Sequence, residues 1–168
     1  GVYDGNKAKT GGVIAADYGT VTITGGTFKN NQASDDAGVL YITGIYNNKV
    51  ETVMLTMQNA TFLSNSAADC GGVVNVLKNR IITATITGCT FESCTAATGG
   101  AIDYRSGWNT SSLDISDNSF KNNTSSSLGG AIILVNTVYS VGLKDNDFEG
   151  NASPGGKDLS VYTKNSDV

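Results

Sequence analysis

The residues of this chain best equipped for chemistry are carboxylates. Asp117 and Asp145 stand 28 residues apart, each three positions before a phenylalanine, and Lys144, Asp147 and Glu149 lie beside the second. Stacked carboxylates at that interval offer hard oxygen ligands to a cation such as calcium. With Lys144 as the base, they would suit calcium-assisted cleavage of an acidic polysaccharide. The dipeptides Asp117-Asn118 and Asp145-Asn146 are equally ordinary turn formers, and the turn reading is preferred. The lyase therefore stays a minor alternative, and no catalytic, cofactor-binding or metal residue is assigned. Histidine is absent from the 168 residues, which removes Ser-His-Asp and Cys-His nucleophile arrangements. Three cysteines remain, Cys70, Cys89 and Cys94. Their spacing fits no zinc pattern, and an odd number leaves at least one without an intramolecular partner. A Cys70–Cys94 disulfide and three free thiols are the two leading readings.

What would position these groups is a repeat. An aromatic residue, then Asn three residues later, then a Gly pair and two apolar residues recur along the chain. The aromatics are Tyr3, Phe28, Phe62, Phe91, Phe120 and Phe148, at intervals of 25, 34, 29, 29 and 28 residues. The Asn position holds Asn6, Asn31, Asn65, Cys94, Asn123 and Asn151. The Gly pairs end at Gly12, Gly38, Gly72, Gly100, Gly130 and Gly156, so the second glycine reads as unbroken. Self-similarity at such a period predicts a solenoid whose units bury their apolar faces only by stacking.

The strands follow from alternation. Seven and five residues before each phenylalanine stand Val21 and Ile23, Leu55 and Met57, Ala84 and Ile86, Leu113 and Ile115, Val141 and Leu143, with mostly polar residues between. That period of two marks a strand with one buried face. A second strand follows the Gly pair, through Ile14, Leu40, Val74, Ile102 and Ile132, and the aromatic marks a third. Three strands per repeat, stacked in register, predict an all-β, single-stranded parallel β-helix of about six rungs. Its expected hand is right, as for parallel crossovers generally. The domain is expected to span 1–168, with five complete repeats, partial repeats at its ends and no obvious caps. Stacked Asn side chains should form an amide ladder, which Cys94 should interrupt.

Gly-Gly-Ala-Ile at Gly99–Ile102 and Gly129–Ile132, with Phe-x-x-Asn at Phe28–Asn31, Phe62–Asn65, Phe120–Asn123 and Phe148–Asn151, resembles the repeat of the polymorphic outer membrane proteins first recognised in chlamydiae. The resemblance covers nearly the whole chain. It implies a surface-exposed β-helix, in a family many of whose members are adhesins delivered as autotransporter passengers.

The net charge of −4, with no basic cluster, argues against nucleic acid as the main partner. The longest apolar run, Ala131 to Val135, is far too short for a bilayer-spanning helix. The expected location is extracellular or on the cell surface, without membrane insertion, catalysis or cofactor. The expected role is structural or adhesive. Identical subunits stacking head to tail into a filament is the leading version, since Gly155 through Val168 into Tyr3 of another copy nearly completes one repeat. A passenger or stalk fragment of a larger adhesin is the alternative. Glycans or host-surface molecules are the expected ligands, on protruding loops near Tyr46, Arg105 and Trp108. Sequons abound in a chain this rich in Asn, Ser and Thr. Only Asn59, Asn109 and Asn122 stand clear of the ladder, as glycan acceptors if the source is eukaryotic.

Overall fold

A computed structural model describes residues 1–46, 49–50, 52–77, 81–105, 111–135 and 140–162. Those residues form strands and turns without a helix, coiled into a β-solenoid of about five turns. Successive coils pair through parallel strands, in register except for a shift between Ala96 and Thr98 where Thr95–Thr98 meets Thr124–Leu128, so each column of the sequence repeat becomes a column in space.

Four sheets run along the stack, not three. The aromatic sheet contains Val2–Asp4, Thr27–Lys29, Thr61–Leu63, Thr90–Glu92, Ser119–Lys121 and Asp147–Glu149. The glycine sheet, entered after each Gly pair, contains Ile14–Ala16, Leu40–Ile42, Val74–Val76, Ile102–Tyr104, Ile132–Val135 and Leu159–Tyr162. The long sheet contains Gly19–Thr24, Thr52–Gln58, Ile81–Thr87, Ser112–Ser116 and Ser140–Lys144. The strands missing from the sequence reading are Lys7–Ala8, Gln32–Ala33, Ser66–Ala67, Thr95–Thr98 and Thr124–Leu128. They are short, and three of them turn inward only an alanine, Ala33, Ala67 or Ala96, which form a small buried cluster of their own. Small residues leave no hydrophobic alternation to read.

The core fills with like side chains. Six aromatic rings stack from Tyr3 to Phe148, with successive centroids 4.5, 5.1, 4.9, 4.8 and 5.1 Å apart. That interval is the strand spacing of a β-sheet, so the backbone register itself delivers the rings to stacking distance. Columns of Leu, Ile, Val and Met from the long and glycine sheets complete a single continuous core.

Three corners per coil use the left-handed region of backbone space, where Gly and Asn are least strained. One, three residues before the aromatic, holds Gly25, Asn59, Gly88, Asp117 and Asp145. Another, two residues after it, holds Gly5, Asn30, Ser64, Ser93, Asn122 and Gly150. The third is the first residue of the Gly pair, with φ of 58° at Gly11, 59° at Ala37 and 64° at Gly71. The second glycine is different. Its φ is not positive, but an added Cβ at Gly12, Gly38, Gly72 or Gly100 would lie closer than 3.0 Å to the carbonyl oxygen of the same glycine one coil on. Close approach of neighbouring coils requires glycine there.

The sixth pair corrects the sequence reading. Ile132 pairs with Leu159, and Gly130 N–H donates to the Gly156 carbonyl. Gly156 (φ 69°) therefore takes the first-glycine position, and Lys157 stands in the second-glycine column. The column is unbroken for five coils and ends in lysine at the sixth.

Candidate functional site

Asn31, Asn65, Asn123 and Asn151 are buried, Asn6 of the first coil is exposed, and each lies directly after a left-handed corner, so the tight turn aims its amide along the stack. Asn31 Nδ2 donates to Asn65 Oδ1 (2.9 Å) and to the Tyr3 carbonyl one coil back (3.0 Å). Asn65 Oδ1 also accepts the backbone N–H of Asn31 at 3.0 Å. Asn123 and Asn151 repeat the pattern, with Nδ2 to Oδ1 at 3.0 Å and bonds to the Phe91 and Phe120 carbonyls. The expected interruption occurs at Cys94. Its N–H still donates to Asn123 Oδ1, while its thiol reaches the Phe62 carbonyl at 3.7 Å.

A second ladder was not anticipated. Asn118 Nδ2 donates to Asn146 Oδ1 and to the Ile86 carbonyl, and Cys89 N–H donates to Asn118 Oδ1. Cys89, Asn118 and Asn146 all stand two residues before an aromatic. That offset was legible in the repeat, but Gly26 and Ala60 hold the same position in earlier coils and break the pattern.

All three cysteines are free and buried, so the Cys70–Cys94 disulfide is not formed. The reason is columnar. Cys94 occupies the Asn ladder, whereas Cys70 bridges Thr98 at the corner before the Gly pair. Burial pushes both the Cys94 and Cys70 thiols up to about 12, the latter aided by the Asp103 carboxylate. Burial raises the Cys89 thiol as well. None offers a thiolate near neutral pH, so none is an activated nucleophile.

The densest polar constellation lies outside the coil, where the corner before the Gly pair meets the glycine sheet. Asp103 points away from the core yet is fully buried. Arg105 clamps it through Nε to Oδ1 (2.6 Å) and Nη2 to Oδ2 (2.7 Å), and Thr98 Oγ1 donates to the same Oδ2 (2.6 Å). Arg105 Nη2 also donates to Thr98 Oγ1 (2.9 Å) and to Cys70 Sγ (3.4 Å). The hydrogen bond to Asp103 raises the Arg105 guanidinium above its ordinary range. One coil back, Asn75 pairs with Asp103 in register and is buried with neither amide atom hydrogen-bonded. Asp36, Asp69 and Cys70 bring their ligand atoms within 4.8 Å of one another beside it. A cation there would face the Arg105 guanidinium across Cys70, which opposes it. Beyond Arg105 opens a groove of about 280 Å³ lined by Thr98, Leu128, Ile133, Val135 and Tyr162.

Residues 119–133 match the Chlamydia polymorphic membrane protein repeat. That stretch holds the strand of Phe120, the ladder residue Asn123, the pair Gly129-Gly130 and the first residues of the following strand. The match thus covers about half of one coil, the part whose ring, amide and glycines have the roles described above. No curated protein and no solved structure matches the chain. The repeat and the solenoid fit a surface-protein repeat domain.

The other residues singled out from the sequence scatter. Asp117 and Asp145 are left-handed corner residues. Lys144 is ion-paired with Asp145 (3.3 Å), and Asp147 and Glu149 flank Phe148 and meet Lys121 at 3.8 and 3.2 Å. Asn59 and Asn122 are exposed at left-handed corners, whereas Asn123 and Asn151 are buried in the ladder. Tyr46 lies in a two-stranded antiparallel hairpin, Ile45–Tyr46 with Lys49–Val50, which leaves the coil between the glycine and long sheets. Arg105, the residue after the strand Ile102–Tyr104, is a half-buried clamp on Asp103. Trp108 and Asn109 lie outside the described residues.

Proposed function

We propose that this chain is a non-catalytic, extracellular rod segment of a surface protein, with a structural or adhesive role. The observation that carries the reading is the repetition of one coil, ring over ring and amide over amide, together with the polymorphic membrane protein repeat found within it. Its two amide ladders join successive coils, and its buried thiols are held protonated. Recognition of glycans or host-surface molecules belongs to the insertions between the glycine and long sheets, around residues 47–51 and 106–110. Both insertions fall in the sequence between a strand of the glycine sheet and one of the long sheet, and insertions in repeat proteins commonly carry binding.

Of the two assemblies expected from the sequence, we adopt the stalk or passenger of a larger adhesin. One observation favours head-to-tail filaments, namely apolar side chains exposed on both end coils: Val2 and Tyr3 on the first, Val161 and Tyr162 on the sixth. Glycan-array and cell-adhesion assays on the 168-residue chain test the adhesive role. Replacing 47–51 or 106–110 by a short Gly-Ser turn should abolish binding while circular dichroism and melting stay unchanged. Binding that survives both replacements would remove the loops from the role.

A further inference from the structure

Coils join at the second-glycine corner only because that residue lacks a side chain. In each of the first four coils a Cβ would overlap the carbonyl of the same residue in the coil above, and in the fifth, at Gly130, it would overlap the Lys157 carbonyl. The relation holds five times in succession, so it is a property of the stacking geometry. At the sixth coil the corner residue is Lys157, exposed and bearing the Cβ that the other five lack. A seventh coil laid in the same register would bring its corner carbonyl onto that carbon, far inside van der Waals contact.

The neighbouring residue closes the amide ladder. Asp158 continues a column otherwise made of Val13, Val39, Val73, Ala101 and Ala131. Its Oδ1 accepts Asn151 Nδ2 at 3.0 Å, the proton that Asn31 and Asn123 give to the Asn of the next coil. The acceptor a seventh coil would supply is thus already supplied from within the sixth. Pro154, the only proline of the chain, and the charged flanks of Phe148 lie in the same coil, and proline and charge are the usual means of blunting an exposed strand edge.

We infer that Lys157 and Asp158 form a stop that closes the sixth coil to any further coil in register, and so bars a second copy of this chain from stacking its Tyr3 end there. The block at Lys157 is steric and lies in the first side-chain carbon, not in the charge.

Sedimentation velocity and negative-stain microscopy of four forms of the 168-residue chain, across a concentration series, test this. The unaltered chain and Lys157→Ala/Asp158→Ala should stay free of end-to-end polymers, since alanine keeps the Cβ. Lys157→Gly/Asp158→Ala should polymerise end to end. Asp158→Ala alone should not, but should melt lower through loss of the Asn151 bond. End-to-end polymers from the unaltered chain would overturn the inference. So would polymers from the alanine double variant, or a folded glycine double variant that stays monomeric. Should that variant fail to fold, Gly130→Lys reads the same geometry from inside: residues 147–162 should lose hydrogen-exchange protection while the coils before them keep it, and retained protection would refute the steric block.

Discussion

At the scale of single residues, identical sequence letters do different physical work. The two glycines of each pair are the clearest case. The first supplies a left-handed φ, and an added Cβ at Gly11, Gly71, Gly99 or Gly129 would also lie closer than 3.0 Å to the carbonyl oxygen three residues on in its own coil, a crowding that Ala37 bears at one coil. The second glycine is crowded by a different partner, the backbone of the next coil. Gly100→Ala would press its Cβ onto the Gly130 carbonyl and within 2.6 Å of the Thr124 carbonyl, both backbone atoms of the next coil. Overpacking against immovable neighbours costs ~3 kcal/mol or more, so its denaturation midpoint should fall sharply. Gly142→Ala meets only the Asp114 Oδ1, at 3.3 Å, on an exposed side chain that can turn away. Its stability should change by less than ~1 kcal/mol, in either direction. Cys94 poses the complementary case. A sulfur, a weak acceptor, stands where the ladder uses an amide oxygen. Cys94→Asn should restore bonds to Asn65 and to the Phe62 carbonyl and add ~1 kcal/mol, read as a higher melting temperature. A lower one would mean that the cavity shape at this coil, not the ladder, selects cysteine.

At the scale of elements, the corner before the Gly pair brings together buried and half-buried charge, in Asp36, Asp103 and Arg105. Asp36 lies there half-buried, accepting the Cys70 N–H at 3.1 Å. Burial raises its carboxyl above the ordinary value, and the Asp35 and Asp69 carboxylates add to the rise, against the hydrogen bond from Cys70. A carboxyl raised on folding stabilises the fold at pH below its unfolded value and loses that contribution as pH climbs through its folded value. Asp36→Asn keeps an oxygen for the Cys70 N–H and cannot ionise. It should raise the melting temperature at pH 7 relative to the parent chain and have little effect near pH 3; equal effects at both would show that ionisation is not the cause. This corner also marks the limit of what the sequence discloses. Elements with alternating large apolar residues, such as 52–58 and 112–116, declare themselves by period. The strands at 32–33 and 66–67 do not, because their inward residues are alanines. The clamp of Arg105 was illegible because nothing local says that Asp103, two positions earlier and outward by alternation, is buried under it. Gly156 reads as a second glycine because Gly155-Gly156 imitates the pair, whereas counting back three from the apolar Leu159 makes it the first and puts Lys157 in the second-glycine column.

At the scale of the whole molecule, the solenoid is a one-dimensional object in which each coil meets only its neighbours. Composition and period reveal that architecture because every coil repeats the same solution. The stack of rings is its most direct readout. Phe91 is fully buried with a ring on each face, at 4.9 and 4.8 Å. Phe148 is only partly buried and stacks on Phe120 alone among the described residues. Phe91→Ala removes a buried ring and leaves a cavity between two others, at a cost of ~3–5 kcal/mol. Phe148→Ala gives up one stacking face at a position already open to solvent and should cost less than half as much. The two should also differ in kind. In a chain of nearest-neighbour interfaces, a defect in the fourth coil weakens the coupling between the coils on either side of it. Hydrogen exchange of Phe91→Ala should then show the blocks 1–58 and 119–162 opening with separate free energies, while Phe148→Ala leaves a single cooperative block up to about residue 144. Equal costs and uniform protection in both variants would mean that the core is held by the aliphatic columns, and that the rings merely follow the register the sheets impose.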